Sequence, residues 1–152
     1  MPSAEAPADR GTIVAGTDGS ESAERAVREA ARLAAATGAR LVLVSAFSDL
    51  HPFRERLESS AREQLIDLEK VAEQLLLRAA ANIGVELEVE TVSRQGHPAE
   101  VIADVAREEG AQLIVVGDRG LTGIRRFLLG SVSERLSHHA QCNVLIVRGD
   151  AA

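Results

Sequence analysis

Aromatic side chains are scarce in this sequence, whose 152 residues include three Phe and no Tyr or Trp. Single-stranded nucleic acids stack their bases on exposed rings, so the scarcity argues against that class of binding. The formal net charge of −6 argues the same way, because a phosphate backbone requires a basic surface. We therefore expect no nucleic-acid partner and a hydrophobic core built from Ala, Val, Leu and Ile.

Cysteine and lysine occur once each, as Cys142 and Lys70. A single cysteine excludes an internal disulfide and a cysteine metal cluster, so we expect a cytoplasmic protein. Cys142 lies beside an apolar segment, which favours a buried, inert thiol over a nucleophile. The phosphate loop G-x-x-x-x-G-K-[ST] is absent, and no G-x-G-x-x-G follows the first apolar run. A nucleotide site of either familiar kind is therefore disfavoured.

Long apolar runs are also missing. The longest fall far short of the roughly 18–20 residues that cross a bilayer, so no membrane segment is expected. Residues 1–11 lack the apolar stretch of a signal peptide, and we interpret them as a disordered lead. The remainder is predicted to form one domain over residues 12–148, followed by a short tail at residues 149–152.

Hydrophobic patterning predicts five strands. Continuous apolar runs are typical of strands covered on both faces of a parallel sheet. They occur at residues 12–17 (TIVAGT), 41–47 (LVLVSAF), 112–117 (QLIVVG) and 144–147 (VLIV). Residues 86–93 (ELEVETVS) instead alternate strictly, so this strand is expected to have one wet face and to lie at a sheet edge.

Four helices are predicted between these strands. Apolar residues recur at helical spacing from Ala23 to about Gly38, over residues 57–83, from Pro98 to Gly110, and beyond Gly130. In the second helix the residues expected to face inward are Leu65, Leu68, Ala72, Leu75, Leu76 and Ala79. The alternating order predicts an α/β three-layer sandwich on a five-stranded parallel, doubly wound sheet, with the flavodoxin-like strand order 3-2-1-4-5.

The segment after the fourth strand has an unusual density of glycine, reading VVGDRGLTGIRRFLLGSVSERL over residues 115–136. Ligands of doubly wound sheets bind outside the carboxyl ends of the strands, where this segment and the GTDG turn after the first strand are both expected. Glycine lets backbone N–H groups approach an anion, and a helix beginning after Gly130 adds unpaired donors. With Arg119, Arg125 and Arg126 supplying charge, these are the parts of a phosphate site.

Purely structural explanations compete with this interpretation. Residues 131–134 match the capping box S-x-x-E, in which Ser131 serves only its own helix. Asp18 and Ser20 are suited to cap the first helix. Gly117 is also placed to end a strand, and Gly123 is interpreted as a plain turn residue.

The spacing of Gly117, Gly120, Gly130 and Ser131 resembles the motif G-x2-G-x9-G-[ST] of the ATP-binding universal stress proteins. The opening VAGTDGSESAERA, the turn GHPAE and the closing VLIV strand also resemble segments of that family. The resemblance spans residues 12–148.

This resemblance implies an adenine-nucleotide site whose ligand is ATP, alone or with Mg²⁺, or cyclic AMP. It implies that Thr17 and Asp18 lie near the adenine and ribose and that Ala46 meets the adenine. The residues implied to contact the nucleotide are Thr17, Asp18, Ala46, Val116, Gly117, Arg119, Gly120, Gly130, Ser131, Val132 and Ser133. The resemblance also implies a homodimer paired through the last strand, residues 144–147, whose apolar character calls for cover.

One departure from the family pattern bears on the ligand. Asp118 stands where a small residue is common and would bring negative charge beside the phosphates. A ligand with fewer charges, such as cyclic AMP, would tolerate this carboxylate better than ATP.

Three functions follow as hypotheses. The first is a stress-response regulatory protein that binds an adenine nucleotide without catalysing a reaction. The second is a slow ATP hydrolase, for which the sequence offers only His97, His138 and His139 as bases and no metal-ligand cluster. The third is a dimerising module with an empty pocket. We expect the first, with no catalytic residue and no protein metal site.

Overall fold

The computed structural model describes residues 9–47, 60–119 and 130–149, with side chains excluded over residues 60–66. Five strands and four helices alternate along these ranges. In chain order they are β1 (Thr12–Gly16), α1 (Glu21–Thr37), β2 (Arg40–Phe47), α2 (Ser60–Ala81), β3 (Val89–Gln95), α3 (Pro98–Glu108), β4 (Leu113–Gly117), α4 (Ser131–His139) and β5 (Asn143–Val147).

All four strand pairings are parallel, and the sheet has the order β3-β2-β1-β4-β5. The predicted fold class and strand order are therefore confirmed. The chain winds outward from β1 through β2 to β3, then crosses to the other side of β1 to form β4 and β5. The direction of winding thus reverses between β1 and β4, which is the position where such sheets open a crevice for a ligand.

The sheet separates two hydrophobic cores. Alternate residues of β1 face opposite sides, so Ile13 packs towards α1 and α2 while Val14 packs towards α3 and α4. On the first side, α1 presents alanines such as Ala26 and Ala30, both fully buried. Small side chains such as these let a helix pack closely on a sheet. This part of the core is therefore formed without aromatic residues.

The predicted boundaries of the third strand are wrong, although its edge position is confirmed. The alternating pattern placed the strand at residues 86–93, whereas β3 runs from Val89 to Gln95. Pairing with β2 sets the bounds of β3, because Leu41 pairs with Val89 at one end and Phe47 pairs with Gln95 at the other. A strand ends where its neighbour stops offering hydrogen bonds, which periodicity cannot locate.

The prediction for α2 needs one correction as well. The helix ends at Ala81, and Ala72 and Leu76 are buried as expected, but Leu68 is 39% exposed. Helical spacing alone does not fix how deeply each residue on one face of a helix is buried, and Leu68 is an example. Residues 57–59 and the side chain of Leu65 lie outside the described part. Within that part, no helix combines the length and apolarity that a bilayer span requires.

Adjacent leucines of α2 provide a matched test of the core. Leu76 is 2% exposed and Leu77 is 64% exposed. We expect Leu76→Ala to lower the free energy of unfolding by about 2–5 kcal/mol, because it removes buried methyl groups and leaves a cavity. Leu77→Ala should change it by no more than about 0.5 kcal/mol. Urea denaturation of both variants measures the difference, and equal losses would contradict the packing of α2 described above.

Candidate functional site

Three neighbouring strands bring the predicted contact residues to the carboxyl edge of the sheet. Thr17 follows β1, Ala46 lies near the end of β2, and Gly117 ends β4. Since β1 lies between β2 and β4, these residues line adjacent positions at the point where the winding reverses. The beginning of α4 reaches the same edge through a hydrogen bond from Gly130 N to the main-chain oxygen of Asp118, 2.7 Å long.

The turn between β1 and α1 is held by its own polar side chains. Thr17 is buried and its Oγ1 accepts a hydrogen bond from Gly19 N at 3.2 Å. Asp18 Oδ1 accepts from Ser20 N at 2.9 Å, and Ser20 Oγ accepts from Ala23 N at 3.2 Å. The structural alternative is therefore confirmed for Ser20, which caps α1. Asp18 stabilises the turn and also lies at the carboxyl edge, where a ligand would meet it.

Gly117 serves a close approach between β4 and α1. Its missing side chain faces Ser22, and a Cβ placed there would lie 2.7 Å from the Ser22 carbonyl oxygen and against its hydroxyl. We predicted that this glycine would let the loop approach a ligand. The structure shows that contact with α1 already excludes a side chain at this position, because real Cβ atoms do not approach an oxygen so closely, and the approach of a ligand to Gly117 stays a prediction.

Ser22 is a residue that the sequence analysis missed. It is buried, donates a hydrogen bond to Asp118 Oδ1 at 3.0 Å and accepts one from Arg119 N at 3.2 Å. Ninety-six positions separate Ser22 from Asp118. A serine in the first turn of a helix has no local feature that would reveal so distant a partner.

The carboxylate of Asp118 is surrounded by donors. Besides Ser22, the backbone N–H of Gly149 approaches Asp118 Oδ2 at 3.4 Å, and the guanidinium of Arg119 lies 3.9 Å from the same oxygen. The sequence predicted a negative charge beside the phosphates. The structure shows that Ser22 of α1, Gly149 of the tail and Arg119 lie around this carboxylate, whose side chain is only 14% exposed, and its effect on a phosphate stays a prediction.

The N-terminus of α4 offers the backbone donors that the glycine pattern predicted. Gly130 is the N-cap residue, and no side chain caps the helix, so the predicted capping box is wrong. Ser131 is instead the first helical residue, and its side chain is exposed. The N–H groups of Ser131, Val132 and Ser133 lie in the first turn, where a helix supplies no acceptor of its own. They form a cluster of positive partial charge suited to an anion.

The remaining predicted contacts take different positions. Ser133 is buried, and its hydroxyl donates to the oxygen of Gly130 at 3.0 Å, so it holds the turn. Val116 and Ala46 belong to the apolar core beneath α3 and α4, which gives this edge a hydrophobic floor. Gly120 lies outside the described residues, as do Gly123, Arg125 and Arg126.

Histidine and cysteine lie away from the α4 N-terminus. His97 lies two residues beyond β3, the edge strand on the other side of β2, and its Nδ1 accepts from Ala99 N at 3.3 Å as the N-cap of α3. His138 and His139 occupy the last turn of α4, at the opposite end of that helix. Burial raises the pKa of the half-buried Cys142 thiol, which keeps it protonated and weakly nucleophilic. In the part of the chain that the structure describes, no three His, Cys, Asp or Glu residues are grouped to hold a metal ion.

Comparison with known proteins agrees with this geometry. The model of the universal stress protein family matches residues 10–148, and the chain belongs to that family. The Thermus aquaticus protein named "Universal stress protein in QAH/OAS sulfhydrylase 3'region" is 39% identical over 142 residues, which are 90% of this chain and 98% of that protein.

Two solved structures of similar proteins contain nucleotides. A universal stress protein in complex with cAMP is 32% identical, with a TM-score of 0.63 over 92% of this chain and 98% of that chain. The universal stress protein of Archaeoglobus fulgidus in complex with dAMP is 26% identical, with a TM-score of 0.55 over 90% of this chain and 96% of that chain.

The contact between Gly117 and Ser22 can be tested by substitution. We expect Gly117→Ala to destabilise the fold by about 1–3 kcal/mol, because the new methyl group overlaps Ser22 and forces β4 and α1 apart. Ser22→Ala alone removes two hydrogen bonds, so it is the reference for the double variant. In that background Gly117→Ala should cost less but still destabilise, since the Ser22 carbonyl also lies in the way. Thermal unfolding of the single and double variants measures both effects.

A second glycine supplies the control. A Cβ at Gly84 would meet nothing within 4 Å, so Gly84→Ala should change stability by no more than about 0.5 kcal/mol. If Gly117→Ala were as harmless as Gly84→Ala, the close approach of α1 to β4 would be refuted.

Proposed function

We propose that this protein binds an adenine nucleotide at the carboxyl edge of the sheet, between the β1–α1 turn and the N-terminus of α4. The observation that carries the proposal is the juxtaposition, at the point where the winding reverses, of an acceptor at Asp18 with the backbone donors of the first α4 turn. The cAMP and dAMP complexes of similar proteins support the choice of an adenine ligand.

The two sides of the site suit the two ends of a nucleotide. Asp18 presents a carboxylate, which accepts hydrogen bonds from ribose hydroxyls or a base amino group. Ala46 and Val116 provide an apolar floor for the flat adenine ring. The N–H groups of α4 are suited to a phosphate because the helix dipole adds to their partial charges.

The charge near the start of α4 bears on how many phosphates the bound nucleotide carries. Asp118 follows β4 and its main-chain oxygen accepts from Gly130, so its carboxylate lies near the start of α4. Ser22, Gly149 N and Arg119 only partly offset its negative charge. ATP, alone or with Mg²⁺ carried on its phosphates, and cyclic AMP are the two ligands we propose. Direct comparison of their affinities decides between them.

We propose binding without steady turnover. Catalysis of phosphoryl transfer needs a group that orients the attacking water and cations that offset developing charge. Among the described residues, the histidines that the sequence offered as bases lie at β3 and at the far end of α4. We infer a regulatory protein of the stress response, acting in the cytoplasm, whose stability or partner binding depends on nucleotide occupancy.

We further propose a homodimer paired through β5. This strand forms an edge of the sheet and hydrogen-bonds to β4 on its other side. Residues from Val144 onward are only partly buried, and an apolar edge of this kind is a template for pairing with a second chain. A twofold axis would bury the same strand in both copies.

The nucleotide site is tested by placing a carboxylate at the start of α4. Ser131 is exposed, and Ser131→Glu adds negative charge where it favours the helix dipole but repels a phosphate. We expect ATP and cyclic AMP to raise the melting temperature of the wild type and to bind at least about tenfold more weakly to Ser131→Glu. Calorimetry with ATP, AMP, cyclic AMP and GTP measures the affinities.

Ser131→Gln is the matched control, because it adds the same length without charge and should retain more of the affinity. Binding of all four nucleotides with equal strength, or of none at millimolar concentration, would contradict the proposal. Release of phosphate from ATP at about one per second or faster would establish the hydrolase instead.

The dimer is tested by sedimentation. The wild type should sediment at twice the chain mass of 16.1 kDa, and Ile146→Asp, which places a charge in β5, should sediment as a monomer. Leu77→Asp is the control because it adds the same charge to an exposed position on α2. Circular dichroism verifies that each variant is folded. A monomeric wild type, or dissociation by both substitutions alike, would refute pairing through β5.

A further inference from the structure

A groove of about 660 Å³ lies between α1 and α2, on the face of the sheet opposite α3 and α4. Its lining extends along α1 from Glu24 to Ala35, about 16 Å at the rise of an α-helix. The volume falls within the range of small-molecule sites. At the carboxyl edge the groove reaches Thr17, Asp18 and Gly19, so it meets the candidate nucleotide site only at the β1–α1 turn.

Apolar side chains form most of the groove. Val27 and Ala31 of α1 are buried at its base. Val71 of α2 and Val85, which follows that helix, also line it, although they are 59% and 48% exposed. Large apolar side chains so accessible along one groove provide a surface on which a hydrocarbon chain would be removed from water.

Arginines from both helices also line the groove. Arg28 comes from α1 and Arg78 from α2, and within the described ranges neither forms an ion pair with a carboxylate. Arg32, in contrast, is held by Glu29 through a bond of 3.0 Å from its Nε. The carboxylates of Asp18 and Glu24 line the end of the groove at the carboxyl edge, and Arg28 and Arg78 lie further along it. Away from that end the groove therefore suits an anionic group, because each guanidinium presents donors that match a carboxylate.

We propose that this groove binds an amphipathic carboxylate: a long-chain alkyl acid whose head group meets Arg28 and Arg78 and whose chain covers the valines. Charge complementarity selects the anionic head, and the apolar lining selects the chain. The size of the groove matches one such chain better than a protein helix, whose diameter of about 10–12 Å would leave it largely outside. The inference does not depend on nucleotide binding.

Dodecanoate, used below its micelle concentration, is the probe. We expect calorimetry to show saturable binding, and amide NMR shifts to be largest along α1 and α2. Dodecyltrimethylammonium, with the same chain and the opposite charge, should bind at least about tenfold more weakly, since it would face the two arginines. The double variant Arg28→Gln/Arg78→Gln should lose affinity for dodecanoate by about tenfold or more.

Arg107→Gln is the matched control, because it removes one exposed arginine from α3 on the opposite face and should leave dodecanoate binding unchanged. Ala35→Trp, at an exposed groove position, should also weaken binding while the melting temperature stays near that of the wild type. Nucleotide affinity measured on the same variants separates this proposal from the previous one.

The proposal would be overturned by three results. The first is no binding of dodecanoate, and the second is binding to the double variant as tight as to the wild type. The third is a change in the sedimenting mass of Ala35→Trp, with no effect of dodecanoate on the mass of the wild type. That result would show that a second copy of the chain occupies the groove.

Discussion

The close contact of β4 with the first turn of α1 is the constraint on which the carboxyl edge depends. Gly117 admits Ser22 to the end of the strand, and the Ser22 hydroxyl then bridges Asp118 and Arg119. The main chain of Asp118 in turn donates to Val147 and accepts from Gly130. These linked contacts connect α1, β4, β5 and α4 at the carboxyl edge. A ligand that bound there would meet backbone groups already held in place.

This arrangement changes the meaning of the glycine-rich pattern. Packing alone requires glycine at position 117, against Ser22, whereas a Cβ at Gly130 would lie 3.1 Å from the main-chain oxygen of Asp118, a tight contact. The backbone N–H groups suited to an anion follow Gly130, in the first turn of α4. A ligand bound there would rest on a framework that reaches the tail through Gly149 and the sheet edge through β5.

Sequence patterns predicted the elements of the fold better than their ends. Continuous apolar runs located β1, β2, β4 and β5, because burial on both faces leaves the same signature at any position. The pattern placed the start of β3 three residues too early and its end two residues too early, since pairing with β2 decides where that strand begins and ends. It also placed Leu68 in the core, although helical spacing cannot show how much of each side chain is covered.

The sequence by itself determined the α/β class, the family and that Thr17, Ala46 and Gly117 follow or end strands at the carboxyl edge, because periodicity and a spaced motif are local properties of the chain. The tertiary structure alone decided which of those residues remain available. It committed Ser133 and Ser20 to their turns, surrounded Asp118 with donors, and brought Ser22 to it across 96 positions. It also formed the groove between α1 and α2, since Arg28 and Arg78 become neighbours of one cavity only when the two helices pack on the same face of the sheet.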